Sequence, residues 1–159
     1  MIFITLGSQK FQFNRILKKI DQLFDEKKLS NEVFAQIGYS DYKPKNFKFK
    51  EFLDQNEFQK YMENCDLVIT HGGTGAIITA LKHQKKVIGI PRLSKYDEHV
   101  DDHQMQIVNE FTKMNLIEGC FDVKDLENAI EFVSNKTYNK FYSNTNEIIR
   151  CIEGFIQEI

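Results

Sequence analysis

The 159-residue chain is long enough for one domain with one sizeable core, and its 42 % hydrophobic and 28 % charged content is that of a globular protein. A formal net charge of −2 argues against nucleic acid as a partner, because phosphate binding calls for a basic excess. Three widely spaced cysteines (Cys65, Cys120, Cys151) without a C-x-x-C pair read as free thiols in a reducing compartment, and no run approaches the roughly 18 apolar residues of a membrane span.

Residues 2–6 form a short apolar run of strand formers, closer to a first strand than to a signal peptide, and Gly7-Ser8-Gln9 breaks it. Phe13, Ile16, Leu17, Ile20, Leu23 and Phe24 then recur at helical spacing. Glu32–Ile37 predicts a second strand ended by Gly38, followed by a polar loop around Pro44 and a short strand at Phe47–Phe49. Asp54 and Glu57 have the spacing of a capping box for a helix running to about Asn64. A strand at 67–70, a helix at roughly 75–83 and a strand at Lys86–Ile90 follow. Arg92–His99 lacks a helical period and reads as a polar surface loop. A helix is expected from Asp101 or Asp102 to Lys113, an edge strand at Leu116-Ile117, and a helix opened by Asp122–Asp125. Ile148, Ile149, Ile152, Phe155 and Ile156 mark a final amphipathic helix beginning near Asn139. The alternation predicts an α/β fold: one Rossmann-like, three-layer domain over residues 1–159 with a mostly parallel sheet.

The stretch Asp66–Leu81 carries most of the chemistry. Strand 67–70 runs into His71-Gly72-Gly73-Thr74-Gly75 and then a helix. Glycines permit positive φ and close approach, and the first turn of a helix offers unpaired N–H groups to an anion. Thr74 adds a hydroxyl, and His71 can donate to a phosphate oxygen. The turn is neither G-x-G-x-x-G nor a P-loop, so it reads as a diphosphate cradle or as a tightly packed turn. With strand order 3-2-1-4-5, Gly7 and Ser8 would face the same crevice, either as further ligand contacts or as an ordinary strand-to-helix turn.

A second polar cluster holds Asp97, Glu98, His99, Asp101, Asp102, His103 and Gln104. It lacks H-E-x-x-H, and no metal site is expected. His103 and Gln104 on a first helical turn suit sugar hydroxyls, while Arg92 or Lys95 can approach a phosphate. A solvated loop with Asp101 or Asp102 as cap is the alternative. His83, at a helix end, reads as a surface residue.

Met1–Phe11, Glu32–Pro44, Asp66–Gly75 and Asp101–Gln104 together resemble the small glycosyltransferase subunits of bacterial capsular and exopolysaccharide synthesis, similar to Alg13-like chains and the C-terminal domain of MurG-type enzymes of glycosyltransferase family 28. The resemblance covers nearly the whole chain. It implies the donor-binding half of a GT-B enzyme that is inverting and metal-independent, with no cofactor beyond a UDP-sugar donor. His71, Gly72, Gly73, Thr74 and Gly75 match the diphosphate stretch, and His103 and Gln104 the sugar-side pair. Phe52 lies near the segment bordering the uracil. Thr79 stands where related enzymes place a ribose-binding glutamate. Glu98 is a sugar contact or a backbone cap.

The resemblance further implies transfer of galactose from UDP-galactose to a lipid-linked sugar, glucose through a β-1,4 linkage. UDP-N-acetylglucosamine transfer and a non-catalytic nucleotide-sugar module are the alternatives. A single GT-B half implies an Alg14-like, membrane-anchored, acceptor-binding partner that recruits this cytoplasmic chain to the inner face of the plasma membrane. His71 and residues of that partner are the catalytic candidates, and the general base would come from the partner or from the loop near Gly7–Lys10. Homo-oligomerisation of the isolated chain stays open.

Overall fold

The computed structural model describes residues 1–143. Six strands form one all-parallel sheet: β1 (Ile2–Thr5), β2 (Val33–Gln36), β3 (Lys48–Lys50), β4 (Leu67–His71), β5 (Lys86–Ile90) and β6 (Glu118–Gly119), in spatial order β3-β2-β1-β4-β5-β6. The first five strands take the order expected from sequence, and β6 adds the far edge, two residues later than the expected Leu116-Ile117. Leu116 and Ile117 are instead buried core residues.

β1 and most of β4 are buried on both faces, which is why their sequences read as continuous apolar runs rather than alternating ones. Ile2, Ile4, Leu67, Ile69 and Ile88 point to one side. There they meet Ile16, Leu17 and Ile20 of α1 (Asn14–Asp25) and Leu126 and Val133 of α5 (Leu126–Asn135). Phe3, Val68 and Val87 point to the other side. They meet Met62 of α2 (Gln55–Asn64), Ile77 and Ala80 of α3 (Thr74–Lys82) and Val108 of α4 (His103–Lys113). The result is the three-layer α/β arrangement, with Asp54 and Glu57 forming the capping box of α2.

Two sequence expectations change. The segment Arg92–His99 is not merely a solvated loop: a short 3-10 turn spans Ser94–Tyr96, and Arg92 and Glu98 are each 1 % exposed. Residues 136–143 have no regular structure, so no helix starts at Asn139. The remainder of the expected terminal helix lies outside the described residues.

Parallel strands place all their C-terminal ends at one edge of the sheet. Gly7 follows β1, Gly38 and Tyr39 follow β2, Phe52 follows β3, His71–Gly73 close β4, and Arg92 follows β5. β1 and β4 are neighbours, with Thr5 opposite Thr70. Strand order reverses there, and such a switch point opens a crevice beyond the strand ends.

Candidate diphosphate cradle at the end of β4

His71 ends β4, and its ring lies between two glycines. A Cβ on Gly7 would come within 2.7 Å of the ring Cε1, and one on Gly73 would overlap Nε2 and reach within 2.9 Å of Cδ2. Gly7 takes φ +75°, a conformation that side-chain-bearing residues avoid. Gly72, Gly73 and Gly75 do not: the expectation that they supply positive φ is corrected, since positive-φ glycines in the described chain are Gly7 and Gly38. Gly72 is needed for close packing, because a Cβ there would meet Cβ and the carbonyl oxygen of Gln104 at 2.6 and 2.9 Å. Gly75 faces open space, with nothing within 4 Å of such a Cβ.

α3 begins directly beyond. Gly73 is its N-cap, without a side-chain cap, and the first backbone bond into the helix is Ile77 N–H to the Gly73 carbonyl at 3.2 Å. The N–H groups of Thr74, Gly75 and Ala76 have no partner among the described residues, and Thr74 and Gly75 are exposed. An uncapped N-terminus of a nine-residue helix at the mouth of a crevice presents donors and a favourable dipole to an anion.

Burial, then the nearby Arg92 charge, pushes the His71 imidazole down to about 4, against a weaker opposing interaction of the ring N–H with the Thr5 carbonyl. The ring is therefore neutral at pH 7 in the free protein. This has a consequence for stability. The unfolded chain protonates this histidine below its ordinary value of 6.5, while the native chain resists until about 4. The His71 contribution is thus present above pH 6.5 and lost as pH falls toward 4. The full shift corresponds to on the order of 3 kcal/mol, an upper bound for a ring at a crevice. Urea unfolding of wild type and His71→Asn between pH 7 and 4.5 should show the wild type losing stability more steeply; parallel curves would contradict the buried, neutral ring.

Gln104 stitches the turn to β5: its Oε1 accepts from Gly72 N–H at 3.1 Å and from Arg92 N–H at 3.0 Å. Its amide NH2 has no partner among the described residues. His103, the first residue of α4, has an exposed ring, and its backbone N–H donates to Asp101 at 2.9 Å. Among the described residues, no group of three His, Cys, Asp or Glu side chains is placed to hold a metal ion.

The glycosyltransferase family 28 C-terminal domain profile matches residues 1–154. The chain belongs to this family. The UDP-N-acetylglucosamine transferase subunit ALG13 of Candida albicans is 33 % identical over 110 residues, covering 68 % of this chain and 35 % of that protein. UDP-N-acetylglucosamine--N-acetylmuramyl-(pentapeptide) pyrophosphoryl-undecaprenol N-acetylglucosamine transferase of Prochlorococcus marinus is 25 % identical, covering 99 % of this chain and 49 % of that protein. The chain spans half or less of the length of these curated relatives. The crystal structure of Acinetobacter baumannii MurG has a TM-score of 0.59 at 17 % identity, covering 84 % of this chain and 41 % of that one. The kitacinnamycin glycotransferase gives 0.64, covering 85 % and 35 %. These likenesses match the donor-binding domain architecture of GT-B enzymes.

Within this family 28 domain, the structure brings Gly7, His71, Gly72, Gly73, Thr74, Gly75 and Gln104 together. Ser8 is exposed in the loop just after Gly7. Phe52 is 44 % exposed and stands edge-to-face with Tyr39, centroids 5.2 Å apart, at the end of the crevice beyond β2 and β3. Tyr39 is the residue that sequence reasoning missed; its position directly after the strand-ending Gly38 was the available signal. Two other residues are engaged internally. Thr79 donates its hydroxyl to the Gly75 carbonyl at 2.8 Å. Glu98 accepts from Arg15 Nε at 2.7 Å through one oxygen and from Leu93 N–H at 3.1 Å through the other, so the structure shows the backbone-cap role. Arg92 is likewise committed to carbonyl groups of the chain and does not present its guanidinium to a phosphate.

Proposed function

We propose that this chain is the donor-binding domain of an inverting, metal-independent glycosyltransferase that uses a UDP-sugar. The observation that carries the reading is the uncapped start of α3 beside the His71 ring and Gly7, at the switch point of a family 28 sheet. The diphosphate would lie on the N–H groups of Thr74, Gly75 and Ala76, with the Thr74 hydroxyl and His71 beside it. The uracil would pack on Phe52 and Tyr39. The sugar would meet His103 and the unpaired amide NH2 of Gln104. Attack by an acceptor hydroxyl forms the new bond to the anomeric carbon, and the electron pair of the breaking bond passes to the β-phosphate oxygen. The dipole at the start of α3 and the charge of an imidazole protonated as the phosphate arrives stabilise the growing charge without a metal.

The relatives change the order of donors. Several carry N-acetylglucosamine in their names, so UDP-N-acetylglucosamine now stands ahead of the UDP-galactose expected from sequence. Relatives named as subunits support an Alg14-like, membrane-anchored partner that supplies the acceptor site and the base accepting the hydroxyl proton. No helix among the described residues is long and apolar enough to cross a membrane, which suits recruitment through that partner to the inner face of the plasma membrane. The acceptor is a lipid-linked saccharide of surface-polysaccharide synthesis.

Calorimetry with UDP, UDP-N-acetylglucosamine, UDP-galactose and GDP-mannose tests the nucleotide. A transfer assay with the partner chain and membrane lipid tests the sugar. UDP-sugars are expected to bind, with N-acetylglucosamine transferred fastest. Absence of uridine-nucleotide binding, with and without the partner, would sink the proposal.

A further inference from the structure

The loops after β1 and β5 flank β4 on either side, yet they are fastened to each other across its end. Arg92, at the end of β5, is the main fastener. Its Nη1 donates to the carbonyls of Phe11 at 2.9 Å, Gln12 at 3.3 Å and Glu98 at 3.2 Å, and its Nη2 to the carbonyl of Leu6 at 2.5 Å. The guanidinium also lies 5.1 Å from the Phe13 ring centroid. Three further fasteners run parallel to it. Gln12 Nε2 donates to the Tyr96 carbonyl at 2.8 Å, Arg15 binds both Glu98 and the Pro91 carbonyl, and the rings of Phe11 and His99 lie 5.3 Å apart. Burying a guanidinium is costly unless its donors are satisfied. Here four carbonyls satisfy it, leaving Nε as the buried side-chain polar atom without a partner among the described residues. An apolar side chain in the same space would leave those carbonyls without their donor, so the arginine holds the two loops by their main chains.

We propose that Arg92 is the positioning residue of the diphosphate cradle: it draws the β1 loop to the β5 loop over the end of β4, and so presses Gly7 onto the His71 ring. The contact to the Leu6 carbonyl fixes the peptide immediately before Gly7, and Gly7 forms one wall of the slot that holds the imidazole. The other wall, Gly73, belongs to β4's own turn. Without the clamp, the ring loses one wall and with it a fixed direction toward the start of α3. Arg92 acts through His71 and touches no ligand. A lysine, with a single ammonium group, cannot reach four carbonyls in a fixed fork, so it does not replace the arginine.

This inference rests on the proposed nucleotide-sugar reading, and the experiment separates the two. UDP and uridine affinities are measured by calorimetry for wild type, Arg92→Met and Arg92→Lys, each also in the His71→Ala background. Both Arg92 variants should weaken UDP by about 10-fold while uridine changes less than about 2-fold, and in His71→Ala the further loss should fall below about 2-fold. Equal losses in both backgrounds, or for both ligands, would overturn the positioning role. In parallel, the His71 ring Cε1–Hε1 resonance is followed in ligand-free protein. It should move in Arg92→Lys and, to a smaller extent, in Gln12→Ala, whose exposed stitch can be removed without emptying the core. A resonance unmoved in both variants overturns the inference whether or not nucleotide binds. If wild type binds neither UDP nor uridine, the functional reading falls and the resonance alone decides the inference.

Discussion

Gly7→Ala is expected to destabilise the protein by about 2 kcal/mol or more and to abolish measurable nucleotide binding. Alanine in the left-handed region costs roughly 1–2 kcal/mol, and here the new methyl also meets the imidazole at 2.7 and 2.9 Å. The ring has no escape, because Gly73 bounds it on the other side, and overpacking of this kind typically costs a further 1–3 kcal/mol. Gly75→Ala is the informative control. Its methyl meets nothing of the protein, and alanine is the better helix former by up to about 1 kcal/mol. That variant should be as stable as wild type or more so, yet bind UDP more weakly because the methyl stands where the diphosphate would lie. Unfolding curves and UDP titrations of the two variants check both halves. A Gly75→Ala protein with unchanged UDP affinity would remove the cradle from the start of α3, and a Gly7→Ala protein as stable as wild type would remove the slot.

The second large effect concerns protons. Thr70 Oγ1 donates to the Thr5 carbonyl at 2.9 Å and lies 3.4 Å from His71 Nδ1. With the hydroxyl hydrogen already committed, the oxygen offers a lone pair to the ring. The arrangement that pairs both groups puts the imidazole proton on Nδ1 and leaves Nε2 bare beside Gly73. An arriving phosphate oxygen cannot bond to a bare nitrogen. Its negative charge does favour protonating the ring, opposing the burial and the Arg92 charge that hold His71 near 4 in the free protein. UDP binding should therefore take up a fraction of a proton, and affinity should fall as pH rises from 6 to 8. Titration calorimetry in buffers of different ionisation enthalpy measures the uptake directly; a buffer-independent enthalpy would place the free proton on Nε2 instead. Either way, His71→Ala should cost roughly 10- to 100-fold in UDP affinity, the range of a hydrogen bond to a charged group. The loss for uridine should be small.

Sequence periodicity was enough to locate most strands and helices, because fully buried strands and amphipathic helices write strong patterns; the order 3-2-1-4-5, with β1 beside β4, was a conditional expectation from doubly wound topology, and the structure has it. The β4 turn was legible too, its glycines read as serving positive φ, close approach of a ligand or tight packing; the structure shows tight packing at Gly72 and Gly73 and no positive φ there. A glycine needed for φ and one needed for close approach look identical in sequence; only the packing of the Gln104 backbone on Gly72, and of the His71 ring on Gly73, separates them. Arg92 and Glu98 were legible as polar residues in a polar loop and nothing more. Their burial depends on carbonyls and an arginine far away in the chain, at Leu6, Phe11 and Arg15, and no local spacing records that. Tyr39 and Phe52 meet only because β2 and β3 are parallel neighbours, which brings two unrelated loop residues into one pair.

The adjacency of β1 and β4 also governs how the molecule comes into being. Thr5 and Thr70 are bonded although 65 residues separate them. Closing so long a loop is entropically costly and tends to be slow, while β4, α3 and β5 are consecutive and can associate early. Gly7 therefore reaches the His71 ring only when the first strand slots into the middle of the sheet. Until then the later half of the chain has its turn and the donors at the start of its helix, but not the Gly7 wall that fixes the His71 ring. On the proposed reading, a nucleotide sugar would bind the finished chain best, and at about 100 times its dissociation constant it would hold that state by roughly 2.7 kcal/mol. Refolding watched through nucleotide uptake reports the arrival of β1, whereas refolding watched through helix content reports mostly what precedes it.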